Sequence, residues 1–179
     1  MSTLKPSLGL RDHLRGELSR AIHLVEFGDF ECPFCGQAQI VVHALVRALG
    51  DQLCFGFRNF PLEAAHPHAR LSAEAAEAAG AQGKYWQMHD LLFENQHALT
   101  VPHLGHYGEQ LGLDMHRFVA DLQAHRHLEK VRGDRHSGAI SGVTGTPTFF
   151  VNGIRHEGPF DFDSLLAAMT LAARFPRAG

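Results

Sequence analysis

Two cysteines separated by two residues, Cys32-Pro33-Phe34-Cys35, stand where an apolar run gives way to an amphipathic one. No other feature narrows the possible folds as far. The run before them, Ala21 to Phe27, reads Ala-Ile-His-Leu-Val-Glu-Phe, rich in β-branched and aromatic residues and closed by Gly28-Asp29, as in a buried strand. The run after them, Cys35 to Leu49, repeats Ile40, Val41, Ala44, Leu45, Ala48 and Leu49 at three- and four-residue spacing, the period of an amphipathic helix, and Gly50 ends it. Leu53 to Phe60 alternates aromatic residues up to Pro61 and predicts a second strand. Strand, helix and strand in this order call for a parallel pair joined by a right-handed crossover.

The character changes between His66 and about Gly142, where Ala-rich sequence predicts helices over 69–81, 85–95, 106–111 and 114 to about 141. Breaks fall at Gly80-Ala81-Gln82-Gly83, Thr100-Val101-Pro102 and Gly112. Strand character returns at Thr148 to Val151, followed by Asn152-Gly153, a dipeptide favoured in two-residue hairpins, and by Ile154 to Glu157. Asp161 is placed to cap a last helix from Phe162 to about Ala173. The expectation is an α/β chain in which 1–65 and 142–179 form one unit and 66–141 form an inserted all-helical subdomain.

A chain of 179 residues, 45% hydrophobic, can bury a sizeable core. Its net charge is −3 and its basic residues form no run able to neutralise a phosphate backbone, so no nucleic-acid partner is expected. No stretch approaches the roughly 18 apolar residues that a membrane span needs. With Met1 in place and no apolar leader after it, the expected location is cytoplasmic. Three cysteines are too few for a disulfide scaffold, so the Cys-x-x-Cys pair has to be explained by chemistry.

A thiol attacks as thiolate, and its free pKa near 8.5 must fall for reaction at neutral pH. A cysteine at a helix start faces unpaired N–H groups and the positive end of the helix dipole, which assigns the attack to Cys32. Cys35, one turn on, lies within reach to resolve a mixed disulfide, and Pro33 suits a first helical turn. Glu26, six residues before Cys32 in an apolar strand, reads either as a buried carboxyl of raised pKa that exchanges a proton with Cys35 or as an edge glutamate facing water. Pro147 in Gly145-Thr146-Pro147-Thr148 stands at a strand start, where either a cis or an ordinary trans proline fits.

A half zinc site is the bland alternative for the cysteine pair, but Cys54 stands alone in a predicted strand and reads as a buried thiol. His66-Pro67-His68, His103-x-x-His106 and His125-x-His127 lack ligand spacing and read as solvated surface, so no metal and no cofactor is expected. Tyr85, Trp86, Leu91, Leu92 and Phe93 are expected in the helical core. Phe30, Phe34 and Phe60 are expected as an exposed apolar patch that binds extended polypeptide.

The segments Leu24 to Cys35 and Gly142 to Gly153, with a helical stretch between them, resemble the DsbA-like branch of the thioredoxin superfamily, and the resemblance runs from about Asp12 to Ala173. It implies a thioredoxin fold with an inserted helical subdomain and a protein thiol–disulfide oxidoreductase. Cys32 would be its nucleophile, Cys35 its resolving thiol and Glu26 its buried carboxylate. Thr146 and a cis Pro147 would bind substrate, together with Phe34. Implied partners are protein or small thiol and disulfide substrates and a redox partner such as thioredoxin or glutathione. The family's periplasmic namesake carries histidine at the place of Phe34, so the Cys32 thiolate here is expected to be less acidic and the couple more reducing. The alternative function is a thioredoxin-fold copper or zinc metallochaperone using Cys32 and Cys35.

Overall fold

A computed structural model describes residues 2–174. Strand β1 (His13–Arg15) is followed by β2 (Ile22–Gly28), helix α1 (Pro33–Leu49), β3 (Leu53–Asn59) and then five helices. These are α2 (Ala69–Gly80), α3 (Tyr85–Glu94), α4 (Val101–Gln110), α5 (Met115–Gln123) and α6 (Leu128–Ile140). The chain closes with β4 (Thr148–Val151), β5 (Ile154–Arg155) and α7 (Phe162–Arg174). This is the expected order of elements, with β1 added.

The five strands form one mixed sheet in the order β1-β3-β2-β4-β5. Strand β2 runs parallel to β3 and antiparallel to β4, so the strand that leads into Cys32 lies in the middle. A central strand is covered on both faces, which is why β2 is apolar almost throughout. Its alternate side chains still divide. Ile22 and Leu24 join Leu53, Phe55 and Phe57 under α1 and α7, against Ala38, Val42, Leu45, Leu165 and Met169. Val25 and Phe27 point the other way, into a smaller cluster with Leu4, Phe60, Val143 and Phe150. Glu26, two residues from Leu24, therefore belongs to the α1 side. Each large apolar side chain sealed in these layers contributes about 1.5–3 kcal/mol of transfer free energy.

Among the helices, α2 is buried on nearly every side, and Ala75, Ala76, Ala78 and Ala79 let α3, α5 and α6 approach closely. Its two acidic residues are paired: Glu74 with His125 at 3.0 Å, Glu77 with His13 at 2.8 Å and with the Asn59 side-chain amide. Two predicted boundaries move. The Thr100-Val101-Pro102 break is the start of α4, because proline in the first turn forgoes an N–H that has no partner there. The single helix expected from Asp114 onward is two, α5 and α6, divided at His125, whose φ of 48° leaves the helical range. The hairpin turn at Asn152-Gly153 is as expected, with φ of 45° and 78°. Asp161 caps α7 through the Ser164 N–H at 2.8 Å.

Candidate active site

Strand β2 ends at Gly28, and the four residues 29–32 turn the chain so that Cys32 is the N-cap of α1, with Pro33 in the first turn. The turn is wound around one buried carboxylate. Asp29 accepts the N–H groups of Glu31 and Leu62 and pairs with His66 Nδ1, each at 2.8 Å, while its own backbone carbonyl accepts the Cys32 N–H at 3.1 Å. The Asp29 N–H in turn points at the Cys35 sulfur, 3.5 Å away. In the sequence alone Asp29 reads only as a strand breaker.

The two sulfurs occupy opposite electrostatic situations. Cys32 is held down to about 5, first by a hydrogen bond from the Cys35 thiol, then by the Thr146 side chain and the N–H groups of Phe34 and Cys35, against the cost of its burial. The helix start thus acts on the first cysteine without help from a charged residue at position 34. Cys35 is fully buried, and burial pushes its thiol far above the ordinary range; the charge of Glu26 adds to the effect. At neutral pH the site holds Cys32, only 3% exposed, as thiolate and the fully buried Cys35 as thiol. The three cysteines are unbridged, and Cys54 is buried in β3, in a separate part of the fold.

Glu26 is fully buried, and of its two sequence readings the structure takes the interior one. Burial raises its carboxyl to about 8; the hydrogen bond from the Gln39 amide, at 3.1 Å, works against that rise, and the charge of Cys32 adds to it. Gln39 stands four residues after Cys35 in α1, so the two share a helix face. That spacing was available in the sequence as a signal. Gln39 also lines a cleft of about 250 Å³ between α1 and α3, together with His43, Asp90 and Phe93.

The Thr146–Pro147 peptide bond is cis. The carbonyl oxygen of Thr146 lies 3.5 Å from the Cys32 sulfur, which brings the loop before β4 directly against it. Cys32, Cys35, Glu26 and Thr146 are therefore one cluster. Phe34 is 57% exposed beside it, but the other two members of the expected apolar patch are not on the surface. Phe30 is buried against Phe57, Phe93 and His89, and Phe60 against Phe27. Each lies close to a strand end where helices cover the sheet, so alternation in the sequence could not reveal the cover.

The histidines divide in the same way. His103 and His106 are exposed as expected. His125 is exposed too and also faces Glu74, whereas His66, His68 and His127 are partly buried and face Asp29, Glu31 and Asp121. Burial alone would lower His66, but its pairing with Asp29 raises it, and the charge of Cys32 acts in the same direction. Among the described residues, no group of three or more His, Cys, Asp or Glu side chains is arranged to hold a metal ion. Tyr85 and Leu92 are buried and Trp86, Leu91 and Phe93 pack beside them, as expected.

A family model described as Thioredoxin matches residues 10–170. A protein of Salinispora arenicola named Na(+)/H(+) antiporter NhaA 1 is 45% identical over 162 residues, which is 90% of this chain and 25% of that protein. One named Na(+)/H(+) antiporter NhaA from Herminiimonas arsenicoxydans is 40% identical over 93% of this chain and 26% of its own length. The chain thus spans about a quarter of the curated relatives it matches. Among solved structures, oxidised BdbD from Bacillus subtilis superposes with a TM-score of 0.85 at 22% identity, covering 97% of this chain and 98% of that one. A thioredoxin-like oxidoreductase from Silicibacter pomeroyi superposes with a TM-score of 0.79 at 24% identity, covering 93% and 94%.

Proposed function

Since the chain belongs to the thioredoxin family, we propose that it is a thiol–disulfide oxidoreductase of DsbA-like build, with Cys32 as the attacking sulfur and Cys35 as the resolving one. The observation that carries this reading is the unequal pair: Cys32 caps the start of α1 with the Thr146 carbonyl oxygen 3.5 Å from its sulfur, and Cys35 lies fully buried one turn behind it. The Cys32 thiolate attacks a substrate disulfide, one substrate sulfur leaves as thiolate, and a Cys32–substrate mixed disulfide remains. Cys35 then gives up its proton and attacks Cys32, which releases the second substrate thiol and closes the Cys32–Cys35 disulfide. Glu26, itself near neutrality in its titration, is the group proposed to take the Cys35 proton.

Thr146 and Pro147 form the ledge against which an extended substrate would lie, with Phe34 supplying exposed apolar contact. The strands, α1 and the last helix α7 belong in this proposal to the redox unit, and the helices of 66–141 to an inserted subdomain beside it. The direction of exchange follows the surrounding redox poise. In a cytoplasmic setting the couple would stand mostly as dithiol and would reduce or isomerise disulfides. With a lowered Cys32, a more oxidising compartment would drive it the other way. In the longer relatives, named as antiporters, we read the matched quarter as a thiol-exchange unit; no helix among the described residues of this chain is long and apolar enough to cross a membrane.

The test is trapping. Cys35→Ala should accumulate a mixed disulfide between Cys32 and a peptide disulfide substrate, and Cys32→Ala should accumulate none. Equal trapping by both variants, or by neither, contradicts the assignment. Copper or zinc held in stoichiometric amount by protein purified without added metal would favour the metallochaperone reading.

A further inference from the structure

Gln96 lies in the connection between α3 and α4, far in sequence from the cysteines, yet its side chain reaches their turn. Its amide nitrogen donates both hydrogens to that turn, one to the Phe30 carbonyl at 2.9 Å and one to the Cys32 carbonyl at 2.8 Å. The Cys32 carbonyl already accepts the Gly36 N–H at 3.1 Å, the first hydrogen bond of α1, and so carries two donors. The amide oxygen of Gln96 rests over Gly36, where an added Cβ would lie 2.2 Å from it. Gly36 is therefore the residue that leaves room for Gln96. Nothing in the catalytic scheme uses Gln96, and no sequence pattern points to it.

We propose that Gln96 is a positioning residue for the dithiol: from the helical segment it fixes the Cys32 peptide, and thereby tunes the redox couple. This rests on the thiol-exchange reading. The physical chain is short. The orientation of the Cys32 peptide plane decides where the N–H groups of the first turn point, and two of them, those of Phe34 and Cys35, stabilise the Cys32 thiolate. A carbonyl with one donor is free to tip within the turn; a carbonyl with two donors on different elements is held. Thiolate stabilisation favours the reduced form, because only that form carries the charge. Removing the two donors should therefore make Cys32 less acidic and the protein disulfide easier to form.

The test compares wild-type protein with Gln96→Met, which keeps the length of the side chain but donates nothing, and with Gly36→Ala, which leaves Gln96 intact but takes its place over the helix. Thiolate absorbance gives the Cys32 titration directly. Equilibration with glutathione gives the couple: the protein dithiol and one glutathione disulfide yield the protein disulfide and two glutathione thiols. Both variants should raise the Cys32 midpoint by about one pH unit. Both should move the glutathione equilibrium about tenfold toward the protein disulfide, equivalent to about 30 mV. Adding Gly36→Ala to Gln96→Met should change little more, since both remove the same contact.

Folded variants with an unchanged Cys32 midpoint overturn the proposal. Alanine is the better helix former at position 36, so that variant remains a test even where Gln96→Met fails to fold. The titration needs no disulfide exchange. A wild-type chain that never equilibrates with glutathione would contradict the proposed function, while the titration would still decide the role of Gln96.

Discussion

Glu26 pays a cost to stay where it is, sealed between β3, β4 and α1 with one oxygen on Gln39. Its carboxyl titrates near 8 in the folded chain against 4.5 in the open chain. A raised value of this kind gives a contribution that is whole below pH 4.5 and is lost as pH climbs toward 8. Glu26→Gln should accordingly stabilise the protein by about 3 kcal/mol at pH 7 and by almost nothing at pH 4. Urea unfolding at the two pH values measures the difference, and equal effects at both would contradict the buried-acid account. The same variant should slow closure of the Cys32–Cys35 disulfide by about 10²-fold, which stopped-flow release of a substrate thiol reads. At this scale the cysteines were legible because their spacing and neighbours are local in sequence. Glu26 was half legible, because a strand apolar on both faces does not say which way a carboxylate points. Asp29, His66 and Gln96 were not legible as site residues: each acts through contacts to backbone or side chains brought up by distant segments.

Helix α3 ties the helical segment to the sheet through a histidine. His89 is fully buried among Phe30, Phe57, Trp86 and Phe93, with Nδ1 on Asp90, which Arg15 of β1 also holds. Burial pushes His89 down to about 4, so the folded chain keeps it neutral where the unfolded chain takes up a proton. Its contribution is whole above pH 6.5 and falls as pH drops toward 4. Replacing it by phenylalanine, which suits the aromatic surroundings, should remove about 2 kcal/mol of the stability lost between pH 7 and pH 5. Denaturant midpoints at those pH values check this, and parallel pH dependence in wild type and His89→Phe would sink it. The elements themselves were read well where periodicity was strong, as in α1, α2 and α3. They were misread where one residue decides the boundary: Pro102 starts α4, and His125 divides α5 from α6. Strand β1 is three residues long and owes its existence to pairing with β3, a partner beyond local pattern.

For the whole molecule, the sheet order places β2, the carrier of the cysteines, between β3 and β4, so that the loop before β4 must pass the start of α1. That topology brings Thr146 to Cys32 across 114 residues of sequence. The order of elements was readable from the chain because parallel pairing and the Asn152-Gly153 hairpin leave few alternatives. The meeting of the two loops was readable only through family resemblance. The central claim is that Cys32 and Cys35 form one reversible redox couple. Its most direct measurement is equilibration of the intact protein over graded ratios of reduced to oxidised glutathione, followed by thiol trapping and mass determination. The account predicts that two thiols disappear together in a single transition, bridged as Cys32–Cys35, while Cys54 stays free throughout. A stable glutathione adduct on Cys32 with Cys35 still free, or no reversible oxidation at all, would contradict it.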